Sequence, residues 1–268
     1  MKNSDMHAFP ELQHAAIAID ASGVATLTIR EAGTLNILGT PVIRDLIAGV
    51  RCLAADESVR TLVLRGTGDK AFVAGADIKE MGALDTASAA VFIENLRLLC
   101  EAVQLFPTPV IARIPGWTLG GGLELAVACD IRIASSKAYF GMPEVKVGIP
   151  SILYAAALPR LIGNARANWL LLTGENINAT KAEAWGLADA VVDIQDLDQE
   201  VARVAGEFAA LGPTVLRQQK RLLREWQHEP LDRSIRNGVA EFASAFATGE
   251  PQRFMKEFVD RKAAAHKA

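Results

Sequence analysis

A change of rhythm near residue 190 constrains this chain most. Before it, short apolar runs of strand length alternate with longer stretches of helical period. After it, strand signal stops and helix follows helix. The runs 15–19 and 24–29, separated by Asp20-Ala21-Ser22-Gly23, read as strand, turn, strand. Thr40-Pro41 reads as a helix start, a hydroxyl cap followed by proline at the first position. Ile43, Leu46, Ile47, Val50 and Leu53 then recur at helical spacing. Residues 61–64, 109–114, 131–134, 138–140 and 189–192 read as further strands, and 87–106 and 123–129 as helices. In the tail, Pro213, Pro230 and Pro251 each stand near a predicted helix start. The pattern predicts an α/β core over residues 1–195 and a helical segment over 196–268.

Composition narrows the function class. Half of the residues are hydrophobic and 22% are charged, which suits a globular enzyme with a sizeable core. The formal net charge of -3 argues against nucleic acid as the main partner, since phosphate neutralisation calls for a basic excess. The N-terminal segment is polar, and no uninterrupted apolar stretch reaches the roughly 18 residues of a membrane span. A cytoplasmic protein without a membrane partner is expected. Cys52, Cys100 and Cys129 lie far apart and read as small buried hydrophobes in a reducing compartment. No paired-histidine ligand spacing and no G-x-S-x-G elbow occurs, and His7, His14, His228 and His266 all fall outside the core motifs. No metal site is expected.

Three segments carry candidate chemistry. Gly120-Gly121-Gly122 follows a predicted strand and opens a helix, so its backbone N–H groups can face an anion or a developing oxyanion. It is neither a phosphate loop nor a dinucleotide fingerprint, because Leu123-Glu124-Leu125 follows. Glu124 at this place suggests a carboxylate beside an oxyanion site. Ala74-Gly75-Ala76-Asp77 offers a second turn of small residues, with Asp77 more suited to capping the next helix than to catalysis. Two such turns, each giving one N–H, would polarise one carbonyl between them. Glu144 lies in the turn Phe140-Gly141-Met142-Pro143-Glu144, where a lone glutamate is more often a solvated charge.

Taken together and in order, residues 71–81 (AFVAGADIKEM), 116–126 (GWTLGGGLELA), 129–134 (CDIRIA) and 140–144 (FGMPE) resemble the enoyl-CoA hydratase/isomerase, or crotonase, family. Residues 158–163 (LPRLIG) and 171–174 (LLTG) continue the likeness. The resemblance covers nearly the whole chain. It implies a crotonase-like spiral of ββα units with a helical C-terminal segment that builds a homotrimer or a dimer of trimers. It implies an acyl-CoA thioester as substrate, with coenzyme A part of that substrate and no separate cofactor. The N–H groups of Ala76 and Gly121 would hold the thioester oxygen, and Glu124 and Glu144 would be the two acidic residues of a hydratase. Ala74, Asp77, Ile78, Trp117 and Gly120 would line the substrate. The N–H of Ser151 would face the water, and Phe258 and Arg261, beside Lys262, would meet the coenzyme A adenine and phosphate. The chain departs from the pattern at 149–157 (IPSILYAAA), where many members carry a glycine-rich run. That departure keeps other reactions of the family (isomerisation, thioester hydrolysis, decarboxylation) and an inactive binding protein as alternatives.

Overall fold

A computed structural model describes residues 10–265. Most of the polar N-terminal segment, His7, and the end of the helical tail with His266 lie outside the described residues. The chain enters through a hairpin, β1 (Ala15–Ile19) and β2 (Val24–Ile29), paired antiparallel with Ala15 opposite Ile29. Asp20 sets the turn by accepting hydrogen bonds from the N–H groups of Ser22 and Val24. Helix α1 (Thr40–Ala54) then buries the stripe Ile43, Leu46, Val50 and Leu53. Its cap differs from the expectation. Gly39, not Thr40, occupies the N-cap, and Thr40 begins the helix with both its N–H and its hydroxyl on the carboxylate of Glu80. An acid 40 residues away does the capping.

Three ββα turns follow. β3 (Thr61–Gly66) and β4 (Ala71–Val73) lead to α2 (Ile78–Met81) and α3 (Thr86–Gln104). β5 (Val110–Ile114) and β6 (Trp117–Leu119) lead to α4 (Gly121–Ala128). β7 (Ile131–Ser135) and β8 (Tyr139–Gly141) lead to 3-10 turns at Pro143–Val147 and Tyr154–Ala157, then α5 (Leu158–Ile162) and α6 (Asn164–Thr173). In each turn the first strand joins one sheet and the second joins the other. The larger sheet runs β1-β2-β3-β5-β7-β10, parallel from β2 onward. The smaller runs β4-β6-β8-β9, with β9 (Asn176–Asn178) antiparallel at its edge. α7 (Ala179–Trp185) returns the chain to β10 (Ala190–Val192). Strands β4, β6 and β9, each three residues long, were not expected from the sequence.

The central strands are mostly apolar because both faces of the large sheet are covered, with Arg65, Arg113 and Arg132 as the charged exceptions. Leu62, Leu64 and Ala112 point to the main core with α1 and α3. Their neighbours Val63, Ile111 and Ile133 point the other way, onto Leu197, Val201 and Ala205. Those last three belong to α8 (Leu197–Ala210), so the first helix of the predicted tail is a layer of the core. The remaining helices, α9 (Pro213–Glu225), α10 (Leu231–Phe246) and α11 (Glu250–Ala265), are held more lightly. α9 is pinned by Lys220, whose ammonium donates to the Thr108 carbonyl at 2.9 Å and to Asp130 at 2.6 Å. α10 leaves Leu231, Ile235, Val239 and Phe242 exposed along one stripe. Cys100 and Cys129 are buried and Cys52 half-buried, all as free thiols.

Candidate active site

The site grows from the glycine turn between β6 and α4. Gly120 takes φ +52°, a left-handed conformation that favours glycine, and a Cβ there would lie 2.5 Å from Oε1 of Glu144. Gly122 has a different reason to be glycine, since a Cβ would fall 2.1 Å from the Val73 carbonyl oxygen. α4 therefore presses directly onto β4. All its residues but Val127 are buried, Glu124 among them at 4% exposure. The second small-residue turn is pinned to the chain ahead of α1. Ala74 N–H donates to the Leu35 carbonyl, Leu38 N–H to that of Gly75, and Asp77 N–H to that of Leu38, each at 3.0 Å. That leaves the N–H of Ala76 with no acceptor among the described residues. The N–H of Gly121, first in its helix, has no intrahelical acceptor either.

Both turns open on one cavity of about 590 Å³. Ala74, Ala76 and Ile78 line it from one side, Gly120, Gly121 and Glu124 from another, and Glu144 and Ser151 from a third. Oε1 of Glu124 accepts hydrogen bonds from Leu153 N–H at 2.9 Å and Ala155 N–H at 3.0 Å. Oε2 of Glu144 accepts one from the Ser151 hydroxyl at 2.9 Å. Burial pushes the Glu124 carboxyl up to about 7; the charge of Glu144 adds to the rise, and the two N–H donors oppose it. Burial also raises Glu144, against its own backbone N–H and the Ser151 hydroxyl. Two acids in one apolar cavity, each with a raised proton affinity, can trade protons with a bound molecule.

A family model described as enoyl-CoA hydratase/isomerase matches residues 20–268. The chain belongs to the enoyl-CoA hydratase/isomerase family. A crotonyl-CoA hydratase from Syntrophomonas wolfei is 36% identical over 242 residues, covering 90% of this chain and 93% of that protein. A short-chain-enoyl-CoA hydratase from Clostridium acetobutylicum is 32% identical, covering 89% and 92%. Among solved structures, an enoyl-CoA hydratase from Bacillus anthracis superposes with a TM-score of 0.89 at 29% identity, covering 93% of this chain and 97% of that one. The spiral of ββα units is thus the fold of the family.

Four of the residues expected at the site of this family member stand elsewhere. Asp77 does not line the cavity; its carboxylate caps α2 through the N–H groups of Lys79 and Glu80. Trp117 starts β6 at the end away from the cavity and stacks on Tyr139, in register on β8, with ring centres 4.8 Å apart. It is 38% exposed, so it is neither a cavity wall nor a core aromatic. Phe258 and Arg261 are exposed on α11 and do not line this chain's cavity; Lys262 covers the Phe258 ring. Ser151 lines the cavity, and its hydroxyl donates to Glu144. Other contributors were not anticipated. Met81, Phe92 and Leu96 from α2 and α3 supply an apolar wall, as do Val147 and Ile152. The helical stripe of α3 marked a buried face without showing that part of it faces a cavity. The two N–H donors to Glu124 are main-chain groups that no residue type signals.

Proposed function

We propose that this chain hydrates 2-enoyl-CoA thioesters to 3-hydroxyacyl-CoA. The observation that carries the reading is the meeting of two carboxylates and two unengaged backbone N–H groups on one apolar cavity. Water must add to Cβ and a proton to Cα, and the charge passes through a thioester enolate. The N–H groups of Ala76 and Gly121 hold the thioester oxygen as that charge develops, each such donor contributing about 3–4 kcal/mol. Glu124, ionised, accepts a proton from the attacking water, while Glu144, protonated, delivers one to Cα. Coenzyme A stays attached, and the reaction as written needs neither metal nor redox cofactor.

The finer parts of the reading belong to the same proposal. The exposed stripe of α10, Leu231, Ile235, Val239 and Phe242, is a surface for assembly into a homotrimer or a dimer of trimers. Phe258 and Arg261 reach coenzyme A only in such an assembly. A cytoplasmic location is part of the same proposal. Among the described residues no helix is long and apolar enough to cross a membrane. The test is spectrophotometric. Wild type should remove the enoyl thioester absorbance of crotonyl-CoA or a longer 2-enoyl-CoA. No change with any 2-enoyl-CoA, of any length or branching, would overturn the hydratase reading in favour of another family reaction or of binding alone.

A further inference from the structure

Glu144 stands on a 3-10 turn, Pro143–Val147, none of whose residues is buried. Its long side chain would move freely there without a partner. Among the described residues it receives one side-chain hydrogen bond, from the Ser151 hydroxyl to Oε2 at 2.9 Å. Its other oxygen, Oε1, lies against Gly120, close enough that a Cβ there would come within 2.5 Å. A serine hydroxyl has a single proton to give. It can give that proton to Oε2 whether Glu144 is ionised or carries its own proton on Oε1, so the contact survives both states and directs the acidic proton to Oε1.

Position then gives this arrangement a meaning. Gly121, the next residue, bears the N–H assigned to the thioester oxygen. In a thioester the α-carbon is one bond from the carbonyl carbon. An oxygen beside Gly120 is therefore within reach of the atoms bonded to that carbonyl carbon, the α-carbon among them. We propose that Ser151 is a positioning residue for the reaction, holding Oε2 of Glu144 so that Oε1 faces the substrate α-carbon. The inference rests on the hydratase reading. In the step it serves, the Oε1–H bond of Glu144 breaks, a C–H bond forms at Cα with the enolate electron pair, and Glu124 holds the proton taken from water.

The charged neighbours of Glu144 are few. Glu124 on α4 faces it across the cavity. Asp85 at the start of α3 lines the same cavity with its carboxylate turned onto Ser88. Lys146, on the same turn, packs its stem against Gly174. The Ser151 bond opposes the rise that burial imposes on Glu144. Its loss should therefore raise the proton affinity of Glu144.

The experiment pairs kinetics with a titration that needs no turnover. Ser151→Ala, Ser151→Thr and Ser151→Cys are assayed on crotonyl-CoA or, if wild type prefers another, the 2-enoyl-CoA it hydrates best. In parallel, the Glu144 carboxyl of each substrate-free protein is titrated by carbon-13 NMR, assigned with Glu144→Gln. Ser151→Ala should lose about tenfold or more in kcat with KM within about twofold, and Ser151→Thr should recover most of the loss. In Ser151→Ala both the Glu144 titration and the basic limb of the rate profile should move to higher pH. Should Ser151→Ala fail to fold, Ser151→Cys, with its weak donor, should show the same trends. Wild-type kcat and an unmoved titration in the alanine variant would overturn the proposal. So would a rate loss shared by Ser151→Thr with the Glu144 titration unmoved. If wild type hydrates no 2-enoyl-CoA, the hydratase reading fails by itself. The titration still decides whether Ser151 governs Glu144, a shift upholding that link and no shift overturning it.

Discussion

The two segments that carry the carboxylates are built differently. Glu124 rides on α4, a helix buried at every position but Val127, and is held by two main-chain donors, the N–H groups of Leu153 and Ala155. Glu144 rides on a short turn with no buried residue and is held by one side chain, Ser151. Main-chain donors persist whatever residue occupies 153 or 155, as long as the segment keeps its path. A hydroxyl donor disappears with one substitution. The same five residues, 151–155, thus fix one acid through the fold and the other through a replaceable side chain. The contrast separates an invariant part of the site from an adjustable one.

The largest effects should come from removing either acid. Glu124→Gln and Glu144→Gln should each lower kcat by about 10²–10⁴-fold, and the double variant should fall little further, since the pair acts as a unit. Additive losses in steady-state kinetics would break the pairing. The next effect is one of pH and stability. Burial raises Glu124 from 4.5 to about 7, so the fold favours its neutral form. The stability this contributes, roughly 3 kcal/mol, is full below the unfolded value and is lost as pH rises through the folded one. Glu124→Gln cannot ionise. Its melting temperature should therefore gain on wild type as the pH is raised from about 5 to about 8. A constant gap between the two proteins across that range would contradict the burial argument.

Glycine substitutions sharpen the comparison further. Gly122→Ala drives a Cβ into the Val73 carbonyl and should cost roughly 1–3 kcal/mol in denaturant unfolding, as overpacking does. Gly120→Ala instead meets the far end of the Glu144 side chain at 2.5 Å. Its rate should fall out of proportion to its stability, and a stability loss without a rate loss would break the placement of Glu144. The smallest effect is expected behind the segment. The Tyr154 hydroxyl donates to Gln104 of α3 at 2.9 Å, between the two residues whose N–H groups hold Glu124. Tyr154→Phe should cost about 1 kcal/mol of stability and move kcat by no more than a few-fold. A loss as large as that of Glu124→Gln would make this anchor part of the invariant half of the site.

Much of this was legible in the sequence, and the rest was hidden for definite reasons. The paired glutamates and both small-residue turns stand in ordered motifs, so their convergence could be expected before any fold was drawn. The stripe Ile43, Leu46, Val50 and Leu53 gave α1 its buried face correctly. The cap of α1 was misread because Glu80, remote in sequence, displaces the local rule at Thr40. Trp117 was misplaced because a three-residue strand gives no register until its partner Tyr139 is known. The glycine-poor run 149–157 keeps other family reactions in view from the sequence alone. In the structure it supplies Ser151 and two backbone donors, and backbone donors have no letter in the sequence.

The central claim is that water adds across the 2,3 double bond, its oxygen to Cβ and a proton to Cα. Mass spectrometry of the product formed by wild type in deuterated, oxygen-18 water tests it most directly. The account predicts one oxygen-18 at Cβ and one deuterium at Cα, with the thioester intact and incorporation of both labels slowed about 10²–10⁴-fold when Glu144→Gln replaces wild type. Oxygen-18 in a free carboxylate, or a displaced double bond carrying no oxygen-18, would contradict it.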